Sequence, residues 1–397
     1  MLPCTHEKAV ELARAFAPRI LFDANEPFFP AHVGITVFPH SGRSPSCDHF
    51  VHLKGDAEYA IEYAIWWDWD IQHLYELEHI WVYVNSAGDV ARVEASAHGR
   101  MRRMQTSDGE LPLQNGRVTL YSEPGKHAFL ADQAEVEPRK PGLVACCGTL
   151  AGKMDILIQP RFKEALADIK PYELWLARQF MVSKSFTPSF DFDQAFDLAD
   201  IDMCSWPDLA QRIPKRIFAA LEDLRANHRG LKAVFLDSGD TLIDEGSEVK
   251  FGELVLEAQT IPGTDALMQG LKERGVLVAL VADGLVESFD RVHGALGLTK
   301  HFHVRSISEA VGSEKPLRQM FDAAAEMLGL RQEDYDDIIM VGNNLSRDIS
   351  GANALGMKTA FIPWAPRRSK EPANELEIPD YTIEGPADLL AIIDSYS

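Results

Sequence analysis

Residues Ala233–Leu242 read Ala-Val-Phe-Leu-Asp-Ser-Gly-Asp-Thr-Leu, and their pattern decides the fold of the second half of the chain. Four apolar residues run into Asp237, and Gly239 follows as a turn residue. A short apolar run stopped by such a turn reads as a buried strand of a parallel sheet. Ligands of such sheets sit beyond the carboxyl ends of the strands, where Asp237 falls. A carboxylate there can act as a nucleophile, hold a metal, or both. Its plainer reading is a cap on the next turn.

Working outward, three more stretches fit the sharper reading. Val276–Val281 is apolar and runs into Ala282, Asp283 and Gly284. Ser313-Glu314-Lys315-Pro316 comes next. Ile338–Val341 then ends in Gly342, Asn343 and Asn344, with Asp348 a turn later. Four such motifs in this order resemble the haloacid dehalogenase superfamily of phosphatases and related hydrolases, from about Leu231 onward. The resemblance implies a doubly wound parallel sheet and a Mg²⁺-dependent phosphohydrolase. Asp237 is then the nucleophile and Lys315 its catalytic partner. Ala282, Asp283, Gly284 and Lys315 form the phosphate site. Asp237, Gly239 (through its carbonyl), Asn343 and Asp348 hold the metal.

Three positions depart from that pattern. Gly239 stands where the family usually has a second Asp, the general acid and base. Ala282 replaces a hydroxyl residue, and Asn343 replaces an Asp. These departures leave an alternative, a catalytically decayed domain kept as a binding or scaffold module. About twenty residues separate Thr241 from Pro262, room for a hairpin flap but not a large cap.

After Leu231 the rhythm is strand–helix–strand, with helices expected over Lys315–Leu328, Pro316 in its first turn, and over Ser346–Leu355, in contrast to what precedes it. Residues 5–18 read as a short amphipathic helix. Leu21–Val37, interrupted by Pro27 and Pro30, reads as loop or edge strand. Ile80–Val84, Val90–Ala97 and Val118–Tyr121 read as strands. Phe162–Ile169, Tyr172–Val182 and Pro207–Ala226 carry apolar residues at helical spacing. This places a β-rich, sandwich-like domain with a helical end over residues 1–228 and the hydrolase-like domain over 229–397.

The β-rich part holds a second cluster. On a strand through Glu76–Trp81, Glu76 and Glu78 share a face with Ile80, and His79 points the other way. Paired carboxylates with nearby His suit a divalent cation, or else form a hydrogen-bonded polar patch. His73, Glu76, Glu78 and His79, followed by Ser96-Ala97-His98-Gly99 and Gly125-Lys126-His127, resemble the necrosis-inducing-protein and vacuolar-sorting-protein-like β-sandwich group. That resemblance implies a possible second divalent metal held among Asp70, His73, Glu76, Glu78, His98 and His127.

Composition narrows the partners. The net charge of −21 argues against nucleic acid and anionic membranes. No apolar run reaches the roughly 18 residues of a membrane span, and the first residues lack a signal-peptide pattern. Five Cys, two of them adjacent, do not make a disulfide framework. The expectation is a cytoplasmic enzyme acting on a phosphorylated small molecule or a larger phosphorylated substrate.

Overall fold

The computed structural model describes residues 6–156 and 159–396. They belong to two compact units, Met1–Asp168 with Leu176–Asn227, and Ile169–Trp175 with His228–Ser397. A single cut at 228 does not anticipate the short segment Ile169–Trp175. It joins the second unit because Trp175 donates its indole N–H to the Gly275 carbonyl, 2.6 Å away.

The first unit is built on two sheets. One runs in the order Met203–Ser205, His32–Phe38, Tyr59–Trp69, His73–Val84, Val90–Ala97, Arg100–Arg103. The other runs Phe129–Leu130, Arg117–Ser122, Arg19–Phe22, Gln194–Asp197. Val33, Ile61, Ile80 and Val82 from the first meet Ile20, Leu120 and Phe129 from the second in one apolar core. Burying each such side chain contributes roughly 1.5–3 kcal/mol. The helix Trp206–Asn227 buries Leu209, Ile213, Ile217 and Leu221 at helical spacing.

Two expectations for this unit change. His32–Phe38 is an interior strand, paired on both sides, not loop or edge. Pro27 and Pro30 precede its first residue, so neither removes a ladder hydrogen bond. Phe162–Ile169 is not a helix. Phe162 and Leu166 are buried, which produces the helical spacing, but the backbone forms only the 3₁₀ turn Pro160–Phe162 and further turns.

The second unit carries a six-stranded sheet in the order Val304–Ile307, Val278–Ala282, Ala233–Leu236, Ile338–Gly342, Lys358–Phe361, Tyr381–Thr382. Every pairing is parallel. Ala233–Leu236 is central, so its neighbours end in Ala282-Asp283 and Gly342-Asn343 on the same edge as Asp237. The hairpin Ile243–Phe251 with Leu254–Thr260 follows directly.

Local chemistry shifts two helix starts. The helix expected from Lys315 begins at Arg318, because a residue before proline is pushed out of the helical region and Lys315 precedes Pro316. The helix expected over Ser346–Leu355 is a π-helical turn, Leu345–Ile349, followed by Ser350–Asn353. Asn344 caps that turn, accepting from Ser346 N–H. Among the described residues no helix is long and apolar enough to cross a membrane.

Candidate active site

Asp237 leaves the end of its strand with its backbone N–H donated to the Val341 carbonyl of the neighbouring strand. That bond fixes where the carboxylate starts. Lys315 reaches it from the loop before its helix: Nζ donates to Asp237 Oδ1 at 2.7 Å and to the Val281 carbonyl at 2.9 Å. The same ammonium lies 2.6 Å from Asp348 Oδ1. Thr241 Oγ1 lies 3.3 Å from Asp237 Oδ2. Asp348 Oδ2 accepts the Asn344 N–H at 3.0 Å. All three charged groups are buried.

One buried cation thus faces two buried carboxylates, and the titration behaviour follows. Burial, then the Asp237 charge, pushes the Asp348 carboxyl up to about 7, against the pull of Lys315. Burial would lower Lys315, but Asp237, Asp348 and Asp283 outweigh it and hold the ammonium above its ordinary value. A side chain at 342 would run into the Asp348 carboxylate, so Gly342 is what lets Asp348 approach the strand end. Asn343 is buried, and its Nδ2 has no partner among the described residues. Two carboxylates, an amide and a main-chain carbonyl are hard oxygen donors, and the deficit of positive charge fits Mg²⁺.

The expected phosphate positions behave differently from one another. Ala282 packs with Leu280 and Ile307 in an apolar cluster, so its side chain belongs to the core. Asp283 Oδ1 accepts the Lys315 backbone N–H at 3.0 Å, which locks the lysine loop to the next strand end. Gly284 donates its N–H to Ser308 Oγ at 2.9 Å.

Three residues outside the four motifs' expected roles complete the site. Arg347 pairs with Asp283 at 3.1 Å and Glu314 at 2.8 Å. Arg367 pairs with both Asp240 and Glu245. Glu245, on the hairpin, occupies the space beside Gly239: a side chain at 239 would meet the Glu245 carboxylate head-on. The basic run Arg367-Arg368 is the visible signal for the second arginine; Glu245 has none, since only the hairpin brings it back. A cleft of about 630 Å³ opens here, lined among others by Gly239, Glu245, Asp283, Gly284, His293 and Glu314.

The first unit divides the second expected cluster. His73 Nε2 stands 3.6 Å from Asp70 Oδ1 and 3.5 Å from Glu76 Oε2. Lys126 inserts its ammonium into this group, donating to Asp70 at 2.7 Å. Burial would raise Asp70, but His73, Lys126 and His127 hold it below its ordinary value. Glu76 is pushed up to about 7 by burial and by Glu78. The other three expected ligands have partners of their own. Glu78 accepts from Ser96 Oγ and from the His98 N–H. His98 pairs with Glu123 at 2.7 Å. His127 stacks on Trp67 and lies nearer Glu26, at 3.4 Å, than Asp70, at 3.8 Å.

Residues 119–356, more than half of the chain, match the family described as haloacid dehalogenase-like hydrolase. The chain is 36% identical over 147 residues to a glyceraldehyde 3-phosphate phosphatase of Methanopyrus kandleri, covering 37% of this chain and 60% of that protein. It is 25% identical over 142 residues to a phosphoglycolate phosphatase of Aquifex aeolicus, covering 36% of this chain and 62% of that protein. The chain therefore spans somewhat less than two thirds of the length of these relatives. A solved HAD phosphatase from Thermococcus onnurineus aligns with 41% of this chain and 97% of its own, at 19% identity and a TM-score of 0.34.

Proposed function

Because the chain belongs to the haloacid dehalogenase-like hydrolase family, we propose that its second unit is a Mg²⁺-dependent phosphohydrolase that passes the phosphoryl group through Asp237. The observation that carries this reading is the Asp237–Lys315–Asp348 arrangement at the end of the central strand. Lys315 holds one oxygen of Asp237, so the other is the attacking atom. A phosphorus–oxygen bond forms to Asp237 as the bond to the ester oxygen breaks, and the departing oxygen takes a proton. Water then cleaves the aspartyl phosphate, regenerating Asp237 and releasing phosphate. Lys315 neutralises charge on the transferring group, where preorganised cations lower the barrier most.

Mg²⁺, held by Asp237, Asp348, Asn343 and the Gly239 carbonyl, would supply further neutralisation of the phosphoryl oxygens. Glu245 stands where the missing carboxylate of Gly239 would project, and we assign it the proton exchange with leaving group and water. Arg367 supplies its counter-charge. In the first unit Lys126 already provides positive charge to the Asp70 carboxylate beside His73 and Glu76, so no metal role is assigned to that group.

The test is a Mg²⁺-dependent phosphatase screen on full-length protein, with phosphorylated short sugars and acids first. Turnover that disappears in Asp237→Asn, with unchanged circular dichroism, is the expected result. Turnover equal in the variant and the parent would refute the nucleophile. Absence of turnover in both, across the panel, would favour the decayed-domain alternative.

A further inference from the structure

The first unit contains a second set of metal-ligating side chains, independent of the reading above. Cys47, Glu62 and His79 each place one donor atom within 4.8 Å of the other two. Two elements and a loop make this possible. Tyr59–Trp69 pairs with His73–Val84 in the register Glu62↔Trp81 and Ala64↔His79. Glu62 and His79 are thus diagonal neighbours on one sheet face, within reach of each other. Gly42–Arg43 pairs with Phe50–Val51, and the loop between them carries Cys47 over that face.

The donors are under-satisfied. Among the described residues, Glu62 is 0% exposed and its Oε2 has no hydrogen-bond partner; His79 is 3% exposed and its Nε2 has none either. Buried polar atoms without partners are costly, of order 1–3 kcal/mol each, and ask for an explanation. The rest of the cluster already holds the donors in place. Ser44 Oγ and Ser46 Oγ both donate to Glu62 Oε1, and His79 stacks on Trp81. Unlike in the Asp70 group, no ammonium among the described residues is inserted here. The nearby charged groups are Arg161, whose guanidinium donates to the Pro45 carbonyl, and His49, which pairs with Glu94.

We propose that Cys47, Glu62 and His79 bind a divalent zinc ion. Thiolate, imidazole and carboxylate together are zinc donors, and softer thiolate disfavours Mg²⁺ and Ca²⁺. Three protein ligands leave a fourth position for water or a ligand. Cys47 and His79 line a cavity of about 750 Å³ that also reaches Glu76 and His98, so the open position has room for one. Binding converts the Cys47 thiol to thiolate, and its proton leaves to solvent.

Full-length protein, stripped with chelator and titrated with Co²⁺, should show a thiolate-to-cobalt charge-transfer band. After Zn²⁺ loading and dialysis it should retain about one equivalent of zinc through this site. Cys47→Ser should lose the band, and its zinc affinity should fall by more than the roughly 10–100-fold that ligand-orienting partners are worth. His79→Gln serves as a second probe, with circular dichroism reporting the fold of each variant. Cys146→Ser and Asp237→Asn should leave the band unchanged. No band in the parent protein, or a band that survives Cys47→Ser, would overturn the site.

Discussion

Gly239 is the residue at which motif and structure diverge most usefully. Its missing side chain removes a general acid, yet the Glu245 carboxylate fills that volume. If Glu245 exchanges the proton, Glu245→Gln should lower kcat by about 10²–10⁴-fold with little change in KM. Gly239→Asp alone should clash with Glu245 and gain nothing, whereas Gly239→Asp with Glu245→Ala should recover part of the loss. Equal kcat in the parent and Glu245→Gln would remove Glu245 from the chemistry. Lys315 needs a more careful reading than a simple catalytic deletion. It is the buried counter-charge of Asp237 and Asp348. Removing one partner of a buried ion pair costs about 3–5 kcal/mol, a large part of the roughly 5–15 kcal/mol of a typical domain. Lys315→Met should therefore lower both turnover and Tm, and a normal Tm would show that the two carboxylates share a proton instead.

Among the elements, the helix Val286–Ala295 ties the loop after Asp237 to the core through one side chain. His293 Nε2 lies 2.9 Å from Ser238 Oγ, and the ring stacks on Phe302. Burial, then Arg305, lowers its pKa from 6.5 to about 4. The folded protein keeps the ring neutral where the unfolded chain protonates it. The stability this represents is complete above about pH 6.5 and is lost as pH falls toward about 4. Each pH unit between those two values is worth about 1.4 kcal/mol, so the loss is at most roughly 3 kcal/mol. His293→Gln keeps a partner for Ser238 and does not titrate. Its denaturant midpoint should fall less steeply than the parent's between pH 6.5 and 4; identical acid limbs would mean the ring is not neutral in the folded state.

The two units have separate apolar cores, one across the paired sheets and one around the parallel sheet. Separate cores predict separate cooperative transitions. Mg²⁺ at about 100 times its Kd should stabilise only the unit that binds it, by about 2.7 kcal/mol. Calorimetry of the full chain should show one transition rising with Mg²⁺ while the other stays fixed. In Asp237→Asn that response should weaken. A single transition moving as a whole would show that the units unfold together.

Much of this is open to reading from sequence because it rests on local order. Apolar runs of four or five residues ending in Asp237, Ala282-Asp283 and Gly342-Asn343 specify parallel strands, and parallel neighbours bring their carboxyl ends together whatever the loops do. Helix positions follow from spacing, except where the buried Phe162 and Leu166 belong to a run of turns, where Pro316 delays a start, and where the Asn344 cap leads into a π-helical turn. What spacing cannot convey is which distant side chains share a volume. Glu245 meets Gly239 only when the hairpin folds back, and Arg367 reaches Asp240 from more than a hundred residues away. Lys126 fills the Asp70–His73–Glu76 group that the sequence offers to a cation, while Cys47, Glu62 and His79 converge without any short motif. Strand pairing depends on periodicity carried by each segment; charge compensation and ligand convergence depend on contacts between segments, and only the folded chain decides those.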